Sequence, residues 1–132
     1  MQILITGGLG FIGSNFILQL LKQSPKYKII NLDAMIWGSN KINLKQISKQ
    51  ENYQFVKGNI TNKKTVEKLI SKSDIIINFA AESHVDRSII SPESFVKSNI
   101  FGVYTILESI RKHKKKLIQI STDEVYGSLI ND

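Results

Sequence analysis

Short apolar runs alternate with longer segments of helical periodicity along the whole chain. The short runs, rich in isoleucine and valine, predict β-strands at Gln2 to Ile5, Lys28 to Leu32, Tyr53 to Lys57, Asp74 to Phe79 and Leu117 to Ser121. The longer segments predict helices at about Ile12 to Gln23, Asn62 to Ser71 and Pro92 to His113, with a weaker one at Asn43 to Lys49. Such alternation is typical of βαβ units. We therefore predict one α/β domain over residues 1–132, a Rossmann-type parallel sheet with strand order 3-2-1-4-5 and helices on both faces.

Local residue types predict where two of the helices begin. Thr61 is expected to cap the helix that follows it, and Ser91 with Pro92 places a side-chain cap and a proline at the start of the long helix. The long helix is apolar around most of its circumference. A stripe of Val96, Ile100, Val103, Leu107 and Ile110 is flanked by Phe95, Phe101, Tyr104 and Ile106. We expect this helix to be buried on two sides, either deep in one core or at a subunit interface.

The net charge of +7 raises the question of a polyanionic partner, but its distribution argues against nucleic acid. The one dense basic run, Arg111 to Lys116, ends the predicted long helix, where cations suit the helix dipole, and it contains no aromatic residue for base stacking. Because the chain has no cysteine, disulfides and thiolate metal sites are excluded, and we predict no metal. No signal peptide or membrane-length apolar segment is recognisable, so we expect a cytoplasmic protein without membrane contact.

A glycine-rich turn follows the first strand directly and opens the first helix. It reads Thr6-Gly7-Gly8-Leu9-Gly10-Phe11-Ile12-Gly13. Glycines at this point allow a tight turn and close backbone approach to a diphosphate, and the amides of a helix start attract the anion. We predict that Gly7, Gly10 and Gly13, with Phe11 and Ile12 at the helix start, bind a dinucleotide. The Gly-x-x-Gly-x-x-Gly spacing resembles that of the extended short-chain dehydrogenases.

Two further strand ends carry candidate cofactor contacts. Asp33 ends the second strand and is predicted to accept hydrogen bonds from the adenosine ribose, which favours NAD, although Lys41 nearby keeps NADP open. A solvated turn residue is the alternative for Asp33. Gly58-Asn59-Ile60 follows the third strand where the extended short-chain dehydrogenases usually have Gly-Asp-Ile. Asn59 and Ile60 are therefore predicted at the adenine, with a plain turn as the alternative.

Two longer segments carry the most specific resemblance. Phe79-Ala80-Ala81-Glu82-Ser83-His84-Val85-Asp86-Arg87-Ser88 follows the fourth strand, and Ser121-Thr122-Asp123-Glu124-Val125-Tyr126-Gly127 includes the end of the fifth. Together they resemble the dTDP-glucose 4,6-dehydratase family. They are more specific than the glycine turn, because related epimerases usually lack the Thr-Asp-Glu triplet. The resemblance covers essentially the whole chain. It implies a lyase that uses NAD to dehydrate a nucleotide-activated glucose to its 4-keto-6-deoxy form.

The resemblance also implies roles for individual residues. The cofactor contacts it implies are Ala80, Ala81, Asn99 and Ser121, and the substrate contacts are Ser83 and His84. A surface-loop histidine is the alternative for His84, and an ordinary polar helix residue is the alternative for Asn99.

The catalytic residues implied by the resemblance are consecutive. Thr122 would bond the C4 oxygen of the sugar, Asp123 would protonate the departing C6 hydroxyl, and Glu124 would remove the C5 proton. Two adjacent carboxyl groups in a closed site repel each other, which helps to keep one of them protonated. Without the resemblance, a solvated acidic loop is the alternative.

The family also uses Tyr-x-x-x-Lys on a helix, which is expected beyond residue 132. The one literal match, Tyr53 to Lys57, is predicted as a strand, where residues four apart lie roughly 13 Å from each other, so we reject it as catalytic. The chain is expected to be part of a longer dehydratase or a shortened gene product, with apolar surface and a sheet edge left for a homodimer or a complementing C-terminal portion. The alternatives to a dehydratase are an NAD-binding module without catalysis and a nucleotide-sugar epimerase.

Overall fold

The computed structural model describes residues 1–127, apart from the side chains of Asp123 and Glu124. Five parallel strands form one sheet: β1 (Gln2–Thr6), β2 (Lys28–Asp33), β3 (Tyr53–Lys57), β4 (Ile75–Asn78) and β5 (Lys116–Gln119). Their order is β3-β2-β1-β4-β5, which confirms the predicted order. In the register, Thr6 pairs with Leu32 of β2 and Asn78 of β4, so the carboxyl ends of the three central strands meet at one edge.

Helical segments connect the strands on both sides of the sheet. The α-helices are α1 (Phe11–Gln23), α2 (Lys63–Lys72), α3 (Val85–Ile90), α4 (Pro92–Phe95) and α5 (Val103–His113). A π-helical segment, Val96–Gly102, joins α4 to α5, and 3-10 turns lie at Lys41–Ile47 and Asp123–Tyr126. The predicted helices at Ile12 to Gln23 and Asn62 to Ser71 exist as α1 and α2, the weaker one at Asn43 to Lys49 is a 3-10 turn, and α3 was not predicted. Its apolar residues Val85, Ile89 and Ile90 are exposed, so no buried stripe marks it in the sequence.

The helix starts differ from the predicted caps in their details. The side chain of Asn62, and not that of Thr61, caps α2 by accepting a hydrogen bond from the Thr65 amide at 3.1 Å. Ser91 does precede α4 and Pro92 does open it, but the Ser91 hydroxyl makes no capping bond. In that turn the Ser91 carbonyl accepts a hydrogen bond from the Ser94 hydroxyl instead.

Two apolar cores lie on opposite faces of the sheet. Successive residues of a strand point to opposite faces, so β1 contributes Ile3 and Ile5 to one core and Leu4 to the other. The first core includes α1 and the Lys41–Ile47 turn, and the second includes α2 and α5. This confirms the prediction of helices on both faces.

The long predicted helix is interrupted and buried on one side within the single chain. Ile106, expected beside the main stripe, is completely buried, whereas Ile100, Phe101, Tyr104 and Leu107 are about half exposed or more. The prediction of burial deep in one core is therefore wrong, because the sheet covers only one face of the helix. The subunit interface, the other setting predicted for this helix, stays a prediction. In the stretch 1–127, no helix has both the length and the apolar content that a membrane crossing requires.

Candidate functional site

A cavity of about 460 Å³ lies at the carboxyl ends of the strands. Five connecting segments line it: the glycine turn after β1 and the segments after β2, β3, β4 and β5. From the glycine turn and the segments after β2 and β3 come Gly7, Gly10, Phe11, Ile12, Gly13, Asp33, Ala34, Ile36, Trp37, Gly38, Ser39, Gly58 and Ile60. The segments after β4 and β5 add Phe79, Ala80, Ala81, Glu82, Ser83, His84, Ile120, Ser121 and Thr122. Ligands of open parallel sheets bind at this edge, so the cavity is the candidate site.

The glycine turn is packed against backbone at Gly7 and Gly13 and is open at Gly10. Gly7 has φ +69°, and a Cβ there would lie 2.5 Å from the Ala80 nitrogen. A Cβ at Gly13 would lie 2.5 Å from the Gly7 carbonyl oxygen. At Gly10 a Cβ would meet only the Gly7 oxygen, at 3.4 Å. Protein packing therefore requires glycine at residues 7 and 13, while Gly10 leaves empty space beside the cavity.

The start of α1 has the properties of an anion site. Gly10 is the N-cap residue and has no side chain to bond the first helical amides, and no acidic residue lies in the first turn. The amides of Phe11, Ile12 and Gly13 have no preceding helical turn to bond. The carbonyl of Leu9, one residue before the cap, is held by the Asn40 amide at 3.0 Å and the Asn43 side chain at 3.1 Å. The turn thus presents oriented donors, which favours a negatively charged ligand.

The carboxylate of Asp33 fastens the glycine turn to the loop after β2. It is 4 % exposed, and its Oδ2 accepts a hydrogen bond from the Leu9 amide at 2.9 Å. Its Oδ1 accepts hydrogen bonds from the Met35 amide and the Ser39 hydroxyl, both at 2.8 Å. A carboxylate offers about four acceptor positions, so roughly one remains for a ligand hydroxyl. A solvated turn residue, the alternative for Asp33, is thereby excluded.

The segment after β4 is fixed by a side chain of the π-helical segment. Asn99 accepts a hydrogen bond from the Glu82 amide at 2.9 Å and donates one to the Glu82 carbonyl at 2.8 Å. Helix irregularities of this kind are frequent at functional sites. These two hydrogen bonds orient the backbone from Ala80 to His84, so Asn99 shapes the cavity without lining it.

A chain of hydrogen-bonded polar side chains runs across the ends of β1, β4 and β5. The Thr6 hydroxyl donates to Asn78 Oδ1, and Asn78 Nδ2 donates to Gln119 Oε1 at 2.9 Å. Thr6 and Asn78 are completely buried, so the bond between them is shielded from water, whereas Gln119 is exposed. The two hydrogen bonds hold the end of β5, and with it Ser121 and Thr122, next to the end of β4.

The sequence of the chain is similar to those of known dehydratases. A family model described as GDP-mannose 4,6 dehydratase matches residues 4–132. The chain belongs to this family. A dTDP-glucose 4,6-dehydratase of Mycobacterium tuberculosis is 41 % identical over 129 residues, which are 98 % of this chain and 38 % of that protein. The dehydratase resemblance predicted from the segments after β4 and β5 is therefore confirmed.

Solved dehydratases have the same fold over the whole chain. The dTDP-glucose 4,6-dehydratase of Bacillus anthracis, in complex with NAD, is 45 % identical with a TM-score of 0.87 and covers 100 % of this chain and 41 % of its own. That of Streptomyces venezuelae, with NAD and TYD bound, is 37 % identical with a TM-score of 0.92, covering 100 % and 42 %. Four solved UDP-glucose 4-epimerases also match, at 24 % to 29 % identity. NAD, the cofactor predicted from the sequence, is thus bound in both of these related dehydratases.

Most site residues predicted for this family member line the cavity. They are Gly7, Gly10, Phe11, Ile12, Gly13, Asp33, Ile60, Ala80, Ala81, Ser83, His84, Ser121 and Thr122. Asn59 does not line it, because its Oδ1 accepts hydrogen bonds from the amide and hydroxyl of Thr61 at 2.9 and 3.0 Å. Asn99 does not line the cavity either, but it bonds the backbone of Glu82, which does. The side chains of Asp123 and Glu124 lie outside the described residues, so their roles stay predictions, as do the ligand contacts of the residues in the wall.

The loop after β2 contains wall residues that the sequence analysis missed. Ala34, Ile36, Trp37, Gly38 and Ser39 all line the cavity. Their position directly after β2 could have indicated this, because any segment that leaves the carboxyl end of a parallel strand lies at the ligand-binding edge. Trp37 in particular contacts His84, with ring centroids 4.0 Å apart and ring planes at 85°.

The rejected pair Tyr53 and Lys57 lies in β3, as predicted. The Tyr53 hydroxyl is buried and accepts a hydrogen bond from Asn31 Nδ2 at 2.9 Å. Burial raises the pKa of the Tyr53 phenol, whereas a tyrosinate base requires a lowered one. Among residues 1–127 no three His, Cys, Asp or Glu side chains that the structure describes are grouped as metal ligands.

Proposed function

We propose that this chain forms the NAD-binding half of an enzyme that dehydrates dTDP-glucose to its 4-keto-6-deoxy form. The observation that carries the proposal is one cavity that joins an anion-binding helix start at one end to Ser83, His84 and Thr122 at the other. The chain spans 38 % of the M. tuberculosis relative, so the activity is that of a longer protein or of a complemented one. A cytoplasmic location remains part of the proposal.

The residues of the first end fit NAD. The open space at Gly10 and the amides of Phe11 and Ile12 suit a diphosphate, and the remaining acceptor position of Asp33 suits a ribose hydroxyl. A 2′-phosphate would meet the buried negative charge of Asp33, so NAD is favoured over NADP. When bound, NAD supplies the acceptor and later the donor of a hydride.

The residues of the second end suit a sugar held against the cofactor. Ala80 and Ala81 add little bulk to the wall, and Ser83, His84 and Thr122 offer hydrogen-bonding groups to sugar hydroxyls and phosphate. We assign Thr122 to the C4 oxygen, Asp123 to the departing C6 hydroxyl and Glu124 to the C5 proton. Asp123 and Glu124 begin a 3-10 turn directly after the wall residues Ser121 and Thr122, which supports a role at this end.

Two other features extend the proposal. The exposed apolar face of Ile100, Phe101, Tyr104 and Leu107 is assigned to a second copy of the protein or to a complementing C-terminal portion. Burial of such a face stabilises a complex by the hydrophobic effect. An epimerase is the second candidate because UDP-glucose 4-epimerases of known structure match at 26 % to 29 % identity, but the Thr122-Asp123-Glu124 triplet favours elimination of water.

Calorimetric titration with NAD and NADP tests the cofactor site of the chain itself. We expect NAD to bind at least about tenfold more tightly than NADP, since the 2′-phosphate must approach a buried carboxylate. Failure of both nucleotides to bind would remove the basis of the proposal.

Complementation with the C-terminal portion of a related dehydratase tests the reaction. Incubation with dTDP-glucose should yield a product lighter by one water, detected by mass spectrometry. An isomer of unchanged mass would indicate an epimerase, and NAD binding without any product would indicate a binding module. The Thr122→Val variant, which keeps the shape of the side chain, should bind NAD normally and lose product formation.

A further inference from the structure

Two arms of the cavity wall meet through aromatic rings. One arm is the loop after β2, with Trp37 at its apex, and the other is the segment after β4 that ends in His84. The Trp37 and His84 rings meet edge to face with centroids 4.0 Å apart. The guanidinium carbon of Arg87, in α3 directly after the second arm, lies 4.9 Å from the Trp37 ring centroid, so Trp37 contacts His84 and Arg87.

Each arm is anchored separately by hydrogen bonds. Asp33 accepts hydrogen bonds from the Met35 amide and the Ser39 hydroxyl. One carboxylate therefore holds both ends of residues 35–39, which we call the arch around Trp37. The arch is closed further by a bond from the Ser39 amide to the Ile36 carbonyl at 3.1 Å. On the other arm, the two hydrogen bonds between Asn99 and Glu82 fix the backbone two residues before His84.

The sheet order decides what lies between the arms. In the order β3-β2-β1-β4-β5, β1 separates β2 from β4, so a contact between the arms crosses the carboxyl end of β1. The glycine turn begins there, and it presents the amides at the start of α1. The ring contact therefore joins the two segments that flank the glycine turn of the proposed NAD site.

We propose that Trp37 is a positioning residue that joins the two arms across the diphosphate-binding turn and so retains the bound dinucleotide. The inference rests on the proposed function, because the enclosed ligand is NAD. Trp37 is 55 % exposed and each arm has its own anchor, so the indole contributes little to the fold. Its contacts with His84 and Arg87 serve to close the cavity.

Measurement of NAD binding kinetics tests this role. Trp37→Ala should raise the dissociation rate constant of NAD about tenfold, because the contact that joins the two arms is lost. Trp37→Phe, which keeps an aromatic ring, should restore most of the wild-type residence time. The thermal midpoint should stay at the wild-type value in both variants. An unchanged dissociation rate in a folded Trp37→Ala protein would overturn the proposal.

The contact can also be broken from the opposite arm. His84→Ala should raise the dissociation rate, and the double variant with Trp37→Ala should be no faster than the Trp37 variant alone, because both remove one contact. Additive effects would contradict a joint role. Val85→Ala, an exposed neighbour that does not line the cavity, is the matched control and should bind as the wild type does.

A spectroscopic readout separates closure from general loosening. Trp37 is the only tryptophan, so the indole emission reports this residue alone. Saturation with NAD should change the emission of the wild type, and His84→Ala should reduce that change. If the wild type does not bind NAD, the proposed function fails together with this inference. Binding with no effect of the variants overturns the inference alone.

Discussion

The two ends of the cavity are built by different means. At the glycine turn, the residues are held by backbone packing and by a buried carboxylate, as at Gly7, Gly13 and Asp33. At the end formed after β4 and β5, side chains such as Asn99 and Gln119 orient loops that are themselves exposed. The helix beside this second end also leaves Phe101 and Tyr104 uncovered. The glycine-turn end is therefore held by contacts between buried groups, whereas the end after β4 and β5 depends on side-chain hydrogen bonds and lies beside an uncovered apolar face.

The largest expected effect tests backbone packing at the first end. Gly7→Ala should lower the free energy of unfolding by about 3 kcal/mol, because the new Cβ meets the Ala80 backbone and the residue has a positive φ. Denaturant unfolding measures this difference. A loss below about 1 kcal/mol would show that the turn adapts easily and would remove the contrast between the two ends.

Asp33→Asn tests the buried carboxylate, and its effect should be somewhat smaller. The amide group that replaces one carboxylate oxygen is a donor and would face either the Leu9 amide or the Met35 amide, which costs about 2 kcal/mol of stability. The preference for NAD over NADP should fall about tenfold, since the negative charge near the 2′ position is gone. Unfolding curves and calorimetry check the two effects, and an unchanged NAD preference would contradict the role of Asp33.

Asn99→Ala tests the side-chain bonds at the second end. It leaves the Glu82 amide and carbonyl without their partner and should cost about 1 to 2 kcal/mol of stability. Asn59→Ala is the matched control, since its exposed side chain bonds only within its own turn, and should cost about 0.5 kcal/mol. Equal losses in the two variants would show that Asn99 has no special part in the wall.

Gly10→Ala tests the open position of the glycine turn, with a small expected effect on stability. The added Cβ meets only one protein atom, at 3.4 Å, so the free energy of unfolding should change by less than about 1 kcal/mol. The methyl group enters the cavity, and NAD affinity should fall about tenfold. Normal NAD binding by this variant would place the diphosphate elsewhere.

The buried phenol of Tyr53 lies away from the cavity and allows a test of burial in the core. Burial raises its pKa, so the neutral phenol stabilises the fold below the unfolded pKa near 10.0, and this contribution is lost as the pH rises through the folded pKa. Stability should therefore fall at alkaline pH. Tyr53→Phe should reduce that fall, at a cost of about 1 kcal/mol at neutral pH because Asn31 loses its acceptor. Identical pH profiles of stability would contradict the assignment.

Periodicity and glycine position were sufficient to predict much of the fold and of the first end. The buried strands β1 and β2 and the turn from Gly7 to Gly13 carry local signals, because strand alternation and tight turns are properties of neighbouring residues. The exposed helix α3 and the interruption at Val96–Gly102 had no such signal. The bond from Asn99 to Glu82 spans 17 positions and depends on that interruption, so no local pattern could predict it.

By itself the sequence determined the element order, the glycine turn, the acid that ends β2 and the dehydratase family. These are properties of residue type and spacing within short segments, so they can be recognised before folding. Only the tertiary structure decided that Asp33 supports both the turn and the arch around Trp37, that the arch meets His84, and that one helix face stays uncovered. Such contacts join segments far apart in the chain, and their existence depends on the order and register of the strands between them.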